Sequence, residues 1–380
     1  MPRWDVHFNM TVQVGDPTLI ADLARAHALS SVIQGIPIPP HIQQRLDRLN
    51  IVRAVRGTTG IEGTEFSPET VAQILQQERR PEAPLSERQT REEQEVRNAD
   101  ALMQEVAQLM ERNPDAPISE ELIRQFHEIL TKDIKYQHNE PGRYRGFSVQ
   151  AGDYAPPPAD QVPELMAEFV RWFNGGPPRH WDPIIRAVVA HFYVVSIHPF
   201  GDGNGRVSRG VESYLLYQAG VSARSYYSLA NYYYRERSQY VRMLDHVRFR
   251  SDPDLTPFVA FALRGLLEEL EEVHREVLDE VRIISFRDYA RETLAHAGKA
   301  GTPTGERMLR FLVRLGSEAI SLRDLRAGKL TQSVLYRRVT SKTLMRDINY
   351  LKKEGLVVVE GDALRAHLEV MTQFTRVRRS

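Results

Sequence analysis

The stretch from Asp182 to Pro199 constrains the fold most. Asp182-Pro183 is a helix start, an acceptor side chain followed by a residue whose fixed φ suits the first turn. Ile184, Ile185, Val188, Val189, Phe192 and Val195 then recur at helical spacing and make a wide apolar face. Pro199 cannot continue the helix, so it stops at His198. A face that wide has to be covered by other helices, and the periodicity elsewhere supplies them. Helices are expected at about 21–29, 41–56, 68–76, 92–112, 119–132, 160–174, 231–247 and 257–297, with Ser67-Pro68 as another start. Residues 78–92 are polar and proline-punctuated and read as a loop, and Arg143 to Val149 followed by Gln150 to Asp153 reads as a short strand or hairpin.

Composition excludes several classes. The chain has 380 residues and no cysteine, so disulfides, zinc–thiolate sites, iron–sulfur clusters and cysteine catalysis are ruled out. No run of eighteen apolar residues is present and the N-terminus lacks a secretory pattern, so the expectation is a cytoplasmic protein that does not engage the membrane. The formal net charge of zero hides an asymmetry: residues 306–380 carry 16 Lys+Arg against 8 Asp+Glu.

The chemistry is concentrated in His198-Pro199-Phe200-Gly201-Asp202-Gly203-Asn204-Gly205-Arg206-Val207-Ser208-Arg209. Three glycines between one helix end and the next helix start let consecutive N–H groups converge as an anion nest, aided by the positive end of the helix dipole. Arg206 and Arg209 share a face of that helix and suit a polyphosphate. Asp202 offers a hard oxygen for Mg²⁺, and His198 stands at the rim as a titratable base. Phe200 is expected to plug the loop into the core.

This stretch resembles the signature of the Fic (Fido) family, His-Pro-Phe-x-(Asp/Glu)-Gly-Asn-Gly-Arg-x-x-Arg, at every specified position. The resemblance implies a mainly α fold: a Fic helical bundle over 95–250 with a β-hairpin flap at about 143–153. It also implies an enzyme that transfers AMP from ATP to a hydroxyl of a protein substrate. His198 is then the general base and Asp202 the Mg²⁺ ligand. Gly203, Asn204, Gly205 and Arg206 position the α-phosphate, and Arg209 binds the γ-phosphate. The family's pattern after the motif is matched by Arg237 and Tyr240, the latter placed near the nucleotide, whereas Glu236 and Val241 depart from it, so phosphocholine transfer stays open. His191 is expected in the core, and His180 and His246 on the surface.

Thr58-x-x-x-Glu62-Gly63 resembles the family's inhibitory pattern, within an N-terminal region spanning 1–94. The resemblance implies that Glu62 pairs with Arg209 and competes with a phosphate for the guanidinium. Some autoinhibited relatives remove AMP instead, so the direction of the reaction stays open.

After a helical connector at 251–300, residues 301–380 read as helices at 304–315, 321–326 and 340–354 followed by a hairpin from Val357 to Leu364. This resembles a C-terminal winged helix-turn-helix, with Lys342 and Arg346 placed to reach a major groove. DNA is one partner this suggests, protein docking another, and a second copy of the chain a third. Two classes of function follow: an autoinhibited adenylyltransferase, or a DNA-binding regulator whose Fic core senses nucleotide. Intact His198 and Asp202 favour the enzyme.

Overall fold

The computed structural model describes residues 6–77, 85–134, 139–221, 229–316, 318–336 and 339–375. The chain divides into two compact units, Met1–His274 and Arg275–Ser380, with the division inside one long helix.

The first unit is helical: α1 (Pro17–Gly35), α2 (Pro40–Ile61), α3 (Pro68–Leu75), α4 (Glu87–Arg112), α5 (Glu120–Thr131), α6 (Val162–Gly175), α7 (Pro183–Ile197), α8 (Asn204–Gln218), α9 (Leu229–Arg235), α10 (Arg237–Arg248) and the first half of α11 (Thr256–His296). The starts carry the expected caps. Asp182 accepts from the Ile184 N–H, Ser67 from Thr70, and Ser86 forms a capping box with Gln89. Helix α4 therefore begins within the stretch read as a loop, while 78–84 lie outside the described residues. From Ile184 to Ile197 every residue of α7 except Arg186 is buried, and Arg186 lies with its guanidinium 4.9 Å from the centre of the Phe173 ring. Helix α8 packs along α7, and α4 and α5 close over α8, where Leu102 and Phe126 come up to Gly210.

Helix α2 runs past its expected end and through Gly57 and Gly60. A glycine inside a helix costs about 1 kcal/mol against alanine, and close packing explains its use here. A Cβ on Gly57 would sit 2.7 Å from the Ala230 carbonyl carbon in α9, and Gly60 lies against the Tyr234 ring. The single helix expected over 231–247 is two, broken at Glu236 with φ −102° and ψ 31°. The bend lets α9 lie on α2 while α10 turns Tyr240 inward. The segment expected as a hairpin has one antiparallel bridge, Ala151 to Tyr154 around Gly152, and no ladder.

In the second unit, Phe286, Ala290 and Leu294 of α11 form a core with α12 (Pro303–Leu315), α13 (Leu322–Arg326) and α14 (Ser341–Lys353). Strands β1 (Ile320–Ser321), β2 (Val357–Glu360) and β3 (Ala363–Ala366) make an antiparallel sheet in the order β1-β3-β2, with Leu364 opposite both Ile320 and Val359. The β2–β3 turn works twice: Asp362 accepts from Ser321 Oγ at 2.6 Å and from the Arg323 N–H at 2.9 Å, capping α13. Arg307 Nε donates to the fully buried Asp347 carboxylate at 2.8 Å, and a terminal nitrogen pairs with the same oxygen at 2.7 Å. Asp347→Ala strands the arginine. The expected loss is about 3 kcal/mol, the low end for a broken buried pair because Arg307 keeps some contact with water. Urea unfolding of the second unit's signal measures it, and an unchanged midpoint contradicts the pair's importance. Among the described residues no helix is long and apolar enough to cross a membrane.

Candidate active site

Pro199 ends α7, and His198 absorbs the reversal by taking the left-handed region at φ 53°, ψ 58°. That conformation costs a non-glycine residue about 1 kcal/mol or more. His198 Nδ1 lies 3.1 Å from the Val195 carbonyl, so this nitrogen carries the proton and Nε2 keeps a free lone pair. Burial pushes the imidazole down to about 4, against the Val195 hydrogen bond and with help from the nearby Arg248 and Arg145 charges. His198 is thus neutral at physiological pH and able to accept a proton.

The following loop is closed by Asn204. Its Oδ1 accepts from the Phe200 N–H at 2.8 Å and its Nδ2 donates to the Phe200 carbonyl at 2.9 Å. The amide therefore shapes the loop, and Gly203, at φ 77°, turns the chain into α8. Phe200 is buried as expected and stacks on His127, ring centres 3.8 Å apart. His127 is a site residue the motif does not reveal. The Gly142 N–H donates to its Nδ1 at 3.0 Å, so its Nε2 carries the proton and donates to the Asp202 carbonyl at 3.1 Å. Burial pushes it to about 4, so it stays neutral and holds both bonds. A histidine on the buried face of α5 beside Phe126 and Leu130 was its only sequence signal.

Asp202 points outward. Its Oδ1 accepts from the Gly203 N–H at 2.5 Å and lies 3.6 Å from Arg206, and its Oδ2 lies 3.7 Å from Arg91 of α4. Its side chain is 42% exposed, so a cation can reach it. Arg206 is buried between Asp202 and Glu95, the latter at 3.5 Å.

Arg209 is held by the end of α2. Its Nε donates to Thr58 Oγ1 at 2.9 Å, and one terminal nitrogen donates to the Thr58 carbonyl at 3.0 Å and to Glu62 Oε1 at 2.6 Å. The Glu62 carboxylate lies where a Cβ on Gly205 would be, over the start of α8. Burial opposes its charge, but Arg209 and Arg206 outweigh that and hold the carboxyl below the usual range. Arg237 donates to the Ile61 carbonyl at 2.9 Å and so grips the same helix end. A cleft of about 840 Å³ opens beside Glu62, Thr64, Arg91 and Glu95.

Tyr240 is buried behind these groups. Its hydroxyl is 2.9 Å from His191 Nε2, His191 Nδ1 is 3.1 Å from Glu212, and Tyr233 donates to Glu212 at 2.8 Å. Burial raises the Tyr240 hydroxyl to about 12. His191 is a core residue, and His180 and His246 are exposed, as expected. The structure therefore gathers Glu62, Asp202, Gly203, Asn204, Gly205, Arg206 and Arg209 at one helix start. His198 lies at the other end of the same loop, and Tyr240 supports them from within.

The family model for the Fic/DOC family matches residues 117–216, the span from α5 through α8 that carries this loop. Residues 117–216 thus resemble a Fic domain. It is 35% identical over 122 residues to proteins named protein adenylyltransferase Fic in Drosophila grimshawi and Drosophila melanogaster, a match covering 32% of this chain and 23% of each relative. The chain thus matches about a quarter of the length of these curated relatives. Its fold resembles the crystal structure of a Fic family protein from Desulfovibrio desulfuricans, with TM-score 0.52 and 22% identity, over 91% of this chain and 95% of that one. It also resembles Fic-1 from C. elegans, with TM-score 0.55 and 24% identity, over 68% of this chain and 73% of that one. Over residues 117–216 the start of α8, two buried arginines and a neutral histidine make a site suited to phosphate chemistry.

Proposed function

We propose that this protein is an autoinhibited protein adenylyltransferase that moves AMP from ATP to a serine, threonine or tyrosine hydroxyl of a target protein or of itself. The observation that carries this reading is the Glu62 carboxylate seated on Arg209 above Gly205, the seat a terminal phosphate would take. The names of the curated relatives support the choice of adenylyl transfer.

The residues divide the work. His198 Nε2 takes the proton of the incoming hydroxyl, whose oxygen attacks the α-phosphorus while the bond to the β-phosphate breaks and pyrophosphate leaves. The Asn204 and Gly205 N–H groups at the start of α8 and Arg206 hold the α-phosphate oxygens, and Arg209 holds the terminal phosphate once Glu62 is displaced. Asp202, 42% exposed, would offer an oxygen to Mg²⁺, a hard cation that takes few protein ligands, with bound phosphates screening the nearby Arg91 and Arg206. Bound there, the ion supplies charge neutralisation on the phosphates. The test is incubation of the Glu62→Gly variant with ATP labelled at the α- or the γ-phosphorus. Protein labelling from the α position alone supports adenylyl transfer. Labelling from the γ position overturns it, and loss of label from a pre-modified protein assigns the reverse direction.

The second unit carries a separate reading. Lys342 and Arg346 are exposed on α14 while Leu344, Ile348 and Leu351 fill the core, which fits a winged helix presenting a basic face to DNA. Gel shifts with genomic fragments at low salt test it. Binding should weaken steeply as salt rises and fall in the Lys342→Ala/Arg346→Ala double variant. No shift at micromolar protein leaves protein docking as the role.

A further inference from the structure

A helix C-terminus leaves its last carbonyls without partners, and the end of α7 is where the base sits. Its carbonyls are satisfied by the segment expected as the flap. The Arg145 backbone N–H donates to the Pro199 carbonyl at 2.9 Å. The Arg145 guanidinium donates through Nε to the His198 carbonyl at 2.8 Å, through one terminal nitrogen to Phe147 at 3.0 Å, and through the other to Pro157 at 2.7 Å. At the far end of the segment, the Tyr154 hydroxyl donates to the Ser196 carbonyl at 2.9 Å. Arg248 lies 4.2 Å from the centre of the Tyr154 ring and donates to Ser196 Oγ at 3.0 Å.

Arg145 is buried, and its three donor directions reach three separate stretches of chain: the catalytic loop, the start of the flap and the proline run that follows it. Here each carbonyl is met by a different nitrogen of the planar fork, whereas an ammonium carries all its donors on one atom. We propose that Arg145 is a positioning residue that registers the flap, and any target strand lying on it, against His198. This rests on the transfer reading above. Around His198 the charged groups are Arg145 from the flap, Arg248 from α10 and Glu62 from α2, with burial the largest influence. Arg145 thus adds to the forces that keep the base unprotonated.

The experiment compares Arg145→Lys and Arg145→Gln in the Glu62→Gly background. Lysine keeps the charge and loses the fork, so kcat should fall by roughly ten- to a hundredfold, the penalty of a misplaced reacting group. His198 should keep its low titration by NMR, and the Kd for ATP should stay within about twofold. Glutamine loses both charge and fork, so kcat falls and the His198 titration moves up. Parental kcat in either folded variant overturns the proposal, and the lysine variant decides if the glutamine variant does not fold. Should the Glu62→Gly parent show no transfer, the adenylyl reading has failed on its own. Hydrogen exchange of the 147–153 amides then decides for Arg145: faster exchange in the lysine variant supports the clamp, and unchanged exchange overturns it.

Discussion

If the chain transfers AMP as proposed, replacing Glu62 with glycine should raise the rate by roughly ten- to a hundredfold. A hydrogen bond between charged groups is worth about 1.5–3 kcal/mol, and each 1.36 kcal/mol is about tenfold in rate. Arg209 is buried, and its terminal nitrogen is shared between the Thr58 carbonyl and Glu62. Removing the carboxylate frees that nitrogen and the space above Gly205 while leaving Thr58, which holds Arg209 in place for a phosphate. The gain is set toward the lower end because the Glu62 side chain is 37% exposed and water already weakens the pair. Acid does not substitute for the mutation. The Glu62 carboxyl is held below its usual range, so the contact persists through neutral and mildly acidic pH and is lost only as pH falls through that lowered value. His198, depressed to about 4, also gains the proton that disables it as a base in the acid range. A pH profile of the wild type should therefore show no acid-activated window. Equal labelling by wild type and Glu62→Gly would sink the inhibitory assignment.

The loop from His198 to Arg209 was legible because pattern and geometry coincide there. One helix stops at a proline, another starts at an asparagine, and every residue between belongs to a single turn. Glu62 and Arg209 lie 147 residues apart, so nothing local joins them, and only resemblance to a family pattern placed them together. The course of α2 was misread locally. Gly57 and Gly60 signal a helix end by propensity, yet here they mark a close crossing with α9 that the sequence does not disclose. Arg145 and His127 were invisible for a related reason. Their partners are backbone carbonyls and amides of distant segments, and a carbonyl carries no residue identity that a sequence pattern can register. Tyr240 matched its pattern, yet its hydroxyl turns inward to His191 because burial behind Arg209 offers that partner.

Replacing His198 with alanine should lower transfer by about two to four orders of magnitude, the usual worth of a positioned general base, while ATP still binds. On the proposed reading the phosphates would rest on the start of α8 and on Arg206 and Arg209, whereas the imidazole bonds the Val195 carbonyl. The backbone at this position calls for a second variant. His198 sits at φ 53°, where alanine pays the same steric penalty and glycine pays none. His198→Gly should therefore melt higher than His198→Ala, by about 1 kcal/mol at most, yet be equally inactive. That pairing separates the chemical role from the structural one. If glycine restored transfer, the histidine would matter only through the shape it gives the turn. If both variants lost ATP affinity by calorimetry while remaining folded, the imidazole would belong to the nucleotide site and the division of labour between base and nest would be wrong. Inactivity in both, with ATP affinity kept, leaves proton removal by Nε2 as the step that this histidine supplies.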